Sequence, residues 1–309
     1  VTFRNLTMKS MNADYSRIIY LMDPCSGITV DNCVLYGSTA ADPKDENALI
    51  YSAHQASDIK ITDNSLNGGS YGVFLNVPDG YQGNNLTVMG NTIRNMTHMG
   101  VMASNISNAK ISDNRITGNG FTHGIYAYNC SEITDNIITG VRGIDRSSDI
   151  TVDEAGIMVK HTMGGSSVIT GNTVRGNDAH GIYTYGVASA NISNNAVNMT
   201  SSSNLERGAV TMLGSGGYSG LVQDNEITGT ETNGIYLGMY SEADVIRNHV
   251  IVNGGKTGIK TVMSKAMLGD NMVGGNGSTA LAIDNMVGGQ GGYPYPEGIM
   301  ARSESVVYA

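Results

Sequence analysis

The sequence predicts an all-β fold, a right-handed parallel β-helix in which roughly ten or eleven coils wind three parallel sheets around one core. Two recurring phrases and the composition predict it. The first phrase runs apolar, Ser or Thr, small polar, Asn, any residue, aliphatic, as in ITDNSL ending at Leu66 and ISDNRI ending at Ile116. The second begins Gly-Ile-Tyr or a close variant, as at Gly124, and follows the asparagine by about eight to ten residues in uninterrupted coils.

The asparagines of the first phrase recur at a nearly constant interval. Asn91, Asn114 and Asn136 are separated by 23 and 22 residues. Such a period holds three short strands, each too short to bury an apolar face alone, so successive coils must stack strand on strand. We expect each asparagine to lie at a tight turn and to bond to the amides of neighbouring coils. The set comprises Asn5, Asn32, Asn64, Asn91, Asn114, Asn136, Asn172, Asn195, Asn225, Asn248 and Asn271.

The second phrase marks another strand of each coil. Alternation along that strand sends Ile125 into the core and turns Tyr126 and Tyr128 outward, and the same parity turns Tyr183 and Tyr185 outward. Residues at matching positions of stacked coils should form ladders on the surface. The glycines that begin the phrase are Gly72, Gly100, Gly124, Gly156, Gly181, Gly208, Gly234 and Gly258.

Composition excludes several other classes of protein. Gly is abundant (41) and charged residues make up only 15%, which argues against both a helical bundle and a disordered chain. Acidic residues outnumber basic ones by 27 to 18, giving a formal net charge of −9, so neither nucleic acid nor a membrane surface is expected as a partner. We expect one domain over residues 1–309, with residues 288–309 as a C-terminal cap or irregular tail.

The stacked asparagines and Gly-Ile-Tyr phrases resemble the parallel β-helix repeats of the pectate-lyase-like superfamily. That superfamily includes polysaccharide lyases, mannuronan C5-epimerase modules, some glycoside hydrolases and phage tailspikes. The resemblance implies a polysaccharide partner, an extracellular, periplasmic or virion-associated location, and either a monomer or a tailspike-like homotrimer. The epimerase signature, Asp-Pro-His, is missing, because Asp23-Pro24 is followed by Cys25; the resemblance therefore favours a lyase or a hydrolase over an epimerase.

Function should be sought where the period is broken, because insertions in a solenoid collect on particular edges. Breaks occur at residues 37–47, 78–84, 141–154 and 201–207. The first, third and fourth fall between the asparagine-phrase strand and the Gly-Ile-Tyr strand. We therefore expect these three insertions to project from one edge and to form the walls of a groove.

The central insertion carries the densest charge in the chain and leads directly into Lys160 and His161. Cleaving a uronic-acid polymer by elimination requires a base, an acid for the leaving oxygen and a cation for the carboxylate. We expect Lys160 or His161 as the base and Tyr183 or Tyr185 as the acid, with His180 beside them. Stacking by the glycine register places Lys160 next to Tyr185.

The remaining candidates would hold the polymer or a metal ion. Arg146 or Arg207 would clamp the carboxylate, and Arg207 is expected to match His180 one coil on. No cofactor is required, although Asp145, Asp149 and Asp153 would suit a calcium ion. Further substrate-binding candidates are Tyr126, Tyr128, Arg142 and Glu206.

Three other interpretations remain open. A hydrolase would use two carboxylates about 5 to 9 Å apart, drawn from Asp145, Asp153, Glu154 and Glu206. The outward tyrosines would equally form a structural ladder, and histidines at turns such as His98 and His123 would simply be hydrogen-bonded. The chain would then be a non-catalytic receptor-binding or structural module of a tailspike or adhesin.

Overall fold

The computed structural model describes residues 1–10, 12, 14–38, 44–129, 132–143, 154–161, 165–201, 208–215, 220–277, 279–284, 299–301 and 306–307. For residues 119–121, 280–284, 299–301 and 306–307 only the backbone is described. The chain divides into two compact units. Unit 1 comprises Val1–Ile144 and Glu154–Val159, and unit 2 comprises Asp145–Asp153 and Lys160–Ala309.

Unit 1 is built from three sheets, called A, B and C, that recur in this order along the chain. Sheet A contains β1 (Thr2–Arg4), β4 (Cys25–Asp31), β7 (Ala56–Thr62), β10 (Gly83–Met89), β14 (Lys110–Ser112) and β17 (Glu132–Thr134), with β13 (Ile106–Ser107) beside β10. Sheet B contains β2 (Thr7–Lys9), β5 (Val34–Tyr36), β8 (Ser65–Asn67), β11 (Thr92–Arg94), β15 (Arg115–Phe121) and β18 (Ile137–Arg142). Sheet C contains β3 (Ile19–Leu21), β6 (Ile50–Ser52), β9 (Tyr71–Asn76), β12 (Met99–Ser104), β16 (His123–Tyr128) and β19 (Ala155–Lys160). One 3₁₀ turn, Asp45–Asn47, precedes β6.

Unit 2 repeats the same plan. Its sheet A contains β20 (Ser166–Thr170), β23 (Ser189–Ser193), β26 (Gly220–Gln223), β29 (Glu242–Ile246), β32 (Lys265–Gly269) and β35 (Ile299–Ala301). Its sheet B contains β21 (Thr173–Asn177), β24 (Ala196–Thr200), β27 (Glu226–Thr230), β30 (His249–Asn253), β33 (Met272–Gly274) and β36 (Val306–Val307). Its sheet C contains β22 (His180–Tyr185), β25 (Gly208–Leu213), β28 (Asn233–Gly238), β31 (Thr257–Val262) and β34 (Thr279–Asp284).

Every strand pairing described in the two units is parallel and joins strands from successive coils, as between β11 and β15 or β24 and β27. The predicted fold class, an all-β solenoid with three parallel sheets, is confirmed. Within the predicted tail, β35 pairs with β32 and β36 pairs with β33, so part of residues 288–309 continues the stacking. No helix in the described part of the chain has the length and apolar character that crossing a membrane requires.

A buried ladder of asparagines marks the corner between sheets A and B, as predicted. At Asn91, the side-chain oxygen accepts hydrogen bonds from both the backbone N–H and the side-chain amide of Asn64. The Asn91 amide donates in turn to the Ile61 carbonyl and to Asn114 Oδ1. The same arrangement links Asn172, Asn195, Asn225, Asn248 and Asn271 in unit 2. Each corner amide thus satisfies backbone groups that a turn would otherwise leave unpaired.

The prediction was wrong for the first two members of the set. Asn32 aligns with Asp63 rather than with Asn64, because Val34 pairs with Ser65. Cys33 holds the corner position instead, and its backbone N–H donates to Asn64 Oδ1. Asn32 and Asn5 adopt positive φ angles of 48° and 57°, and they form their own exposed side-chain bond at 2.8 Å. Asparagine serves there because it tolerates the left-handed backbone conformation.

The glycine of the second phrase lies near the start of the sheet C strand, as Gly100 does in β12. A Cβ atom on Gly100 would approach the Gly124 carbonyl oxygen to 2.5 Å and Ile116 Cγ2 to 2.6 Å. Both contacts are shorter than real Cβ contacts, so the packing around Gly100 leaves no room for a side chain.

The register assigned to Gly208 was wrong by one residue. Ile182 pairs with Val210, so Gly208 matches His180 and Ala209 takes the place of the glycine. Core alternation decides this, because Val210 and Met212 must face inward beside Ile182 and Thr184. Arg207 therefore does not match His180, and it lies outside the described residues.

Candidate functional site

The outward face of sheet C in unit 1 carries a column of large, mostly aromatic side chains. Strand register places Tyr20, Tyr51, Phe74, Met102 and Tyr126 at the same position of successive coils. The Tyr51 and Phe74 rings are stacked with centroids 5.1 Å apart, and Tyr20 meets Tyr51 edge-on at 5.2 Å. Parallel strands lie about 4.8 Å apart, so identical strand positions bring these rings into contact.

The outward faces of sheets A and B have a different character. A column on sheet A in unit 1 reads Thr29, Lys60, Thr87, Lys110 and Glu132. A column on sheet B reads Lys9, Tyr36, Asn67, Arg94, Thr117 and Thr139. These are the residues that solvated strand faces ordinarily carry. Aromatic residues therefore concentrate on one of the three faces.

A charged cluster, consisting of Arg17, Asp45 and Tyr51, lies at one end of the aromatic column. The Arg17 guanidinium carbon is 3.7 Å from the Tyr51 ring centroid and 5.0 Å from that of Tyr20. Arg17 Nη2 lies 3.4 Å from Asp45 Oδ2, and the Tyr51 hydroxyl donates to the same oxygen at 2.9 Å. Asp45 begins the 3₁₀ turn at the end of the first predicted insertion, residues 37–47. That insertion therefore does place a charged group on the outer face of sheet C.

Electrostatics fix the protonation of this cluster at neutral pH. Burial raises the pKa of the Asp45 carboxyl, but its side-chain contact with Glu46, the hydrogen bond that Tyr51 donates and the Arg17 charge outweigh it, so the pKa lies below its ordinary value. Burial and the hydrogen bond to Asp45 raise the pKa of Tyr51 to about 12. Burial and the Asp45 charge raise the pKa of Tyr71 to about 12. Asp45 is thus a carboxylate, and both phenols stay protonated.

A row of two histidines joined by a hydroxyl lies beside the aromatic column. Thr122 Oγ1 lies 3.3 Å from His98 Nδ1 and 3.1 Å from His123 Nδ1. The same hydroxyl donates to the His98 carbonyl at 3.0 Å. The rings of Tyr71 and His98 meet edge-on at 5.1 Å, and those of His123 and Tyr126 at 5.6 Å. Both histidines lie within hydrogen-bonding distance of Thr122, while the prediction that they serve only a structural purpose stays a prediction.

Exposure divides this face into a covered part and an open part. Tyr51, Tyr71 and Phe74 are buried. Tyr20 at one end is 42% exposed, while Met102 and His98 at the other end are half-buried. An extended ligand would contact Tyr20, Met102 and His98 directly. The buried rings would support these residues from beneath.

In unit 2 the structure brings together Lys160 and Tyr185, as the glycine register predicted. Lys160 Nζ lies 5.9 Å from the Tyr185 ring centroid, and the backbone N–H of His161 donates to the Tyr185 carbonyl at 3.0 Å. His161 Nε2 lies 2.9 Å from Ser167 Oγ. Tyr185 is 43% exposed. Lys160, His161 and Tyr185 are therefore close together, with Tyr185 exposed and the other two half-buried, while their predicted catalytic roles remain predictions.

His180 and Tyr183 form a separate, buried pair. Their ring centroids are 4.8 Å apart, and each residue is only 1% exposed. His180 Nδ1 lies 2.9 Å from Thr211 Oγ1 and accepts a hydrogen bond from the backbone N–H of Gly208 at 3.4 Å. A polymer therefore cannot touch either ring in this conformation.

Sequence similarity agrees with the architecture. The family model for the right-handed beta helix region matches residues 1–157 and again residues 146–288. The chain belongs to the right-handed β-helix family. No curated protein and no solved structure matches it. The match confirms the predicted right-handed winding. The closer resemblance to pectate-lyase-like proteins stays a prediction.

The other predicted site residues of this β-helix are spread over both units. Tyr126 and Tyr128 are half-buried on β16, and Arg142 is exposed at the end of β18. Glu154, a predicted hydrolase carboxylate, is buried just before β19. Asp145, Arg146, Asp149, Asp153, Glu206 and Arg207 lie outside the described residues. Across the described ranges no group of three His, Cys, Asp or Glu side chains could hold a metal ion.

Sequence reasoning missed Arg17, Asp45 and Tyr71 as members of the site. The first coils lack the Gly-Ile-Tyr phrase, so Tyr20 and Tyr51 were not aligned with Tyr126. The IYL and IYS strands, however, repeat the Ile-Tyr pair at Ile19 and Ile50, which are register partners. Extending the phrase without its glycine would have found the column.

Proposed function

We propose that this β-helix binds a polysaccharide along the outward face of sheet C and processes it there. The concentration of aromatic side chains on that face, in contrast with the polar faces of sheets A and B, carries the proposal. Aromatic rings present flat apolar surface together with a polar edge, which suits a sugar ring with its apolar and hydroxyl-bearing sides. A solenoid needing only solubility would carry Thr, Lys and Asn on all three faces.

The geometry of the face also suits a linear polymer. Equivalent positions repeat once per coil, at about 4.8 Å, and Tyr20, Met102 and Tyr126 among them are open to an extended chain. The column in unit 1 spans five coils, from Tyr20 to Tyr126. Repeated weak contacts of this kind give affinity for a polymer rather than for a single sugar.

Side chains on this face supply the groups that elimination requires. His98 offers an imidazole, the side-chain group that most often serves as a general base. Tyr71, whose ring contacts that of His98, carries a phenol that is protonated at neutral pH, and because burial raises its pKa to about 12 it is a weaker acid than an exposed tyrosine. A lyase-type reaction is therefore the form of processing that these groups support.

The proposal is tested by binding and product assays on a panel of polyuronates and bacterial capsular polymers. Tyr126→Ala should weaken binding of the polymer, whereas Tyr36→Ala, a half-buried tyrosine on the outward face of sheet B, should leave it unchanged. Unsaturated ends would report elimination, and new reducing ends without unsaturation would report hydrolysis. Equal losses in the two variants, or no bound polymer at all, would contradict the proposal.

A second candidate, binding without cleavage, is favoured by one observation. His180 and Tyr183, two of the five predicted catalytic side chains, are closed off from solvent. A receptor-binding module of a tailspike or adhesin would hold the polymer and leave it intact. Polymer binding with no product under any condition, together with a trimer in sedimentation analysis, would favour this candidate; product formation would reject it.

A further inference from the structure

We infer that Arg17 forms an anion-recognition site on the outer face of sheet C, one that takes the carboxylate of an acidic sugar and that Asp45 occupies internally when no ligand is bound. The inference deepens the proposed function, on which it rests for the identity of the ligand as a sugar. It names an acidic polymer as the substrate class and Arg17 as the residue that selects it.

Stacking prepares the Arg17 guanidinium for this role. The group lies over the Tyr51 ring and beside that of Tyr20, and its side chain is only 20% exposed. Stacked guanidinium groups are held flat by the ring while their N–H donors point outward from the edge. A planar carboxylate or sulfate that approaches this edge meets donors already in position, with little side-chain entropy left to lose.

The existing contacts with Asp45 are poor for an arginine. Arg17 Nη2 lies 3.4 Å from Asp45 Oδ2, and Nε lies 3.3 Å from the Asp45 carbonyl oxygen. Arg4 and Arg247, which lie on exposed faces, contact Asp31 and Asp224 at 2.8 and 2.7 Å. Charge-assisted bonds ordinarily measure about 2.7 to 2.9 Å. Arg17 is therefore held by its aromatic platform more than by its acid, and an external carboxylate could bond to it more closely.

Asp45 can give up Arg17 without being left unpaired. Its Oδ2 atom also accepts the Tyr51 hydroxyl at 2.9 Å, and its side chain is 38% exposed. Water and Tyr51 would continue to solvate the carboxylate after a ligand had taken its place. The energetic cost of displacing Asp45 is accordingly small.

Isothermal titration with tetragalacturonate and its carboxyl-reduced, neutral counterpart tests the inference. Arg17→Met, which retains the stem that packs on Tyr51, should weaken binding of the acidic tetramer roughly tenfold or more and leave the neutral one unchanged. Arg17→Lys, which keeps the charge and loses the planar fork, should fall between wild type and Arg17→Met. Asp45→Asn removes the internal competitor and should tighten binding of the acidic tetramer.

Arg4→Met is the matched control, because it removes an arginine ion-paired on sheet A. It should leave both affinities unchanged. Wild-type affinity for the acidic tetramer in Arg17→Met, or weaker affinity in Asp45→Asn, would overturn the inference.

A smaller probe separates this inference from the proposed function. Monomeric D-galacturonate should shift the Arg17 Nε–H resonance in nitrogen-15 NMR spectra, and the shift should saturate at lower concentration in Asp45→Asn. A saturable shift without polymer binding would support the arginine site and reject the proposed function. Polymer binding without any shift would reject the arginine site alone.

Discussion

A corner asparagine inside the ladder satisfies polar groups of three successive coils. Asn114 Oδ1 accepts from the backbone and side-chain amides of Asn91, and Asn114 Nδ2 donates to the Val88 carbonyl and to Asn136 Oδ1. All of these atoms are buried. An uncompensated buried donor or acceptor costs more than an average hydrogen bond contributes, so the ladder stabilises the fold chiefly by leaving nothing unpaired.

Asn114→Ala should destabilise the protein by roughly 2 to 5 kcal/mol, because it removes the acceptor of the buried Asn91 backbone N–H and the donor to the Val88 carbonyl and to Asn136 Oδ1. Urea unfolding followed by circular dichroism measures the loss. Asn67→Ala is the control, since it removes only the exposed bond from Asn95 to Asn67 at 2.8 Å and should cost less than about 1 kcal/mol. Similar losses in both variants would show that burial of the ladder is unimportant.

Stability at alkaline pH should depend on Tyr51. Its pKa is raised from 10.0 to about 12, so the fold favours the protonated phenol. The stabilisation is complete below pH 10 and is lost as the pH rises from 10 to 12. One pKa unit corresponds to about 1.4 kcal/mol, so wild type should lose roughly 2 to 3 kcal/mol more than Tyr51→Phe across this window. Unfolding free energies from urea titrations at each pH measure the difference, and Tyr36→Phe serves as the control. If the unfolding free energies of wild type and Tyr51→Phe changed in parallel with pH, the assignment would be contradicted.

At the scale of elements, the start of strand β12 depends on the glycine at position 100. Gly100→Ala should destabilise unit 1 by roughly 1 to 3 kcal/mol, because the new methyl group meets a backbone oxygen that cannot move aside easily. Gly269→Ala, whose Cβ would meet only the Ile246 Cγ2 methyl at 2.9 Å, is the matched control and should cost less. Thermal unfolding compares the two, and equal effects would reject the steric explanation.

The turn after β28 stores backbone strain. Met239 and Tyr240 both have positive φ angles, 53° and 64°, a conformation that costs bulky residues about 1 kcal/mol or more. Tyr240 is 69% exposed, so its side chain contributes little burial. Tyr240→Asn should therefore stabilise the protein by roughly 0.5 to 1 kcal/mol, whereas Tyr81→Asn, at 64% exposure without a positive φ, should not. A lower melting temperature for Tyr240→Asn would contradict this explanation.

At the scale of the molecule, stability in a solenoid is the sum of contacts between neighbouring coils. In unit 1, Asn114→Ala should reduce hydrogen-exchange protection most in β10, β11, β14 and β15, and progressively less toward β4 and β5. Mass spectrometry of exchanged peptides measures this gradient. A uniform loss of protection throughout unit 1 would instead indicate that the unit opens as one cooperative block.

Prediction from sequence succeeded where one short phrase decides the outcome locally. The corner at Asn114 and the inward position of Ile125 follow from spacing and alternation alone. It failed at Asn32 and Gly208, where the nearest residue of the expected type lies one position away from the one that strand register selects. Residue type alone predicts the wrong register at both places. The register is instead decided by which side chains must face the core, and these are Leu35 and Val210.

The sequence by itself determined the period, the three strands in each coil, the asparagine corner and the outward face on which Tyr126 lies. These features repeat, and each repeat is specified by residues within a single coil. Only the tertiary structure decided that Arg17 lies on Tyr51 beside Asp45 and that Thr122 joins His98 to His123. Such contacts join coils separated by segments of irregular length, and the side chains that meet are chosen by strand register and by the path of each insertion, neither of which a local pattern encodes.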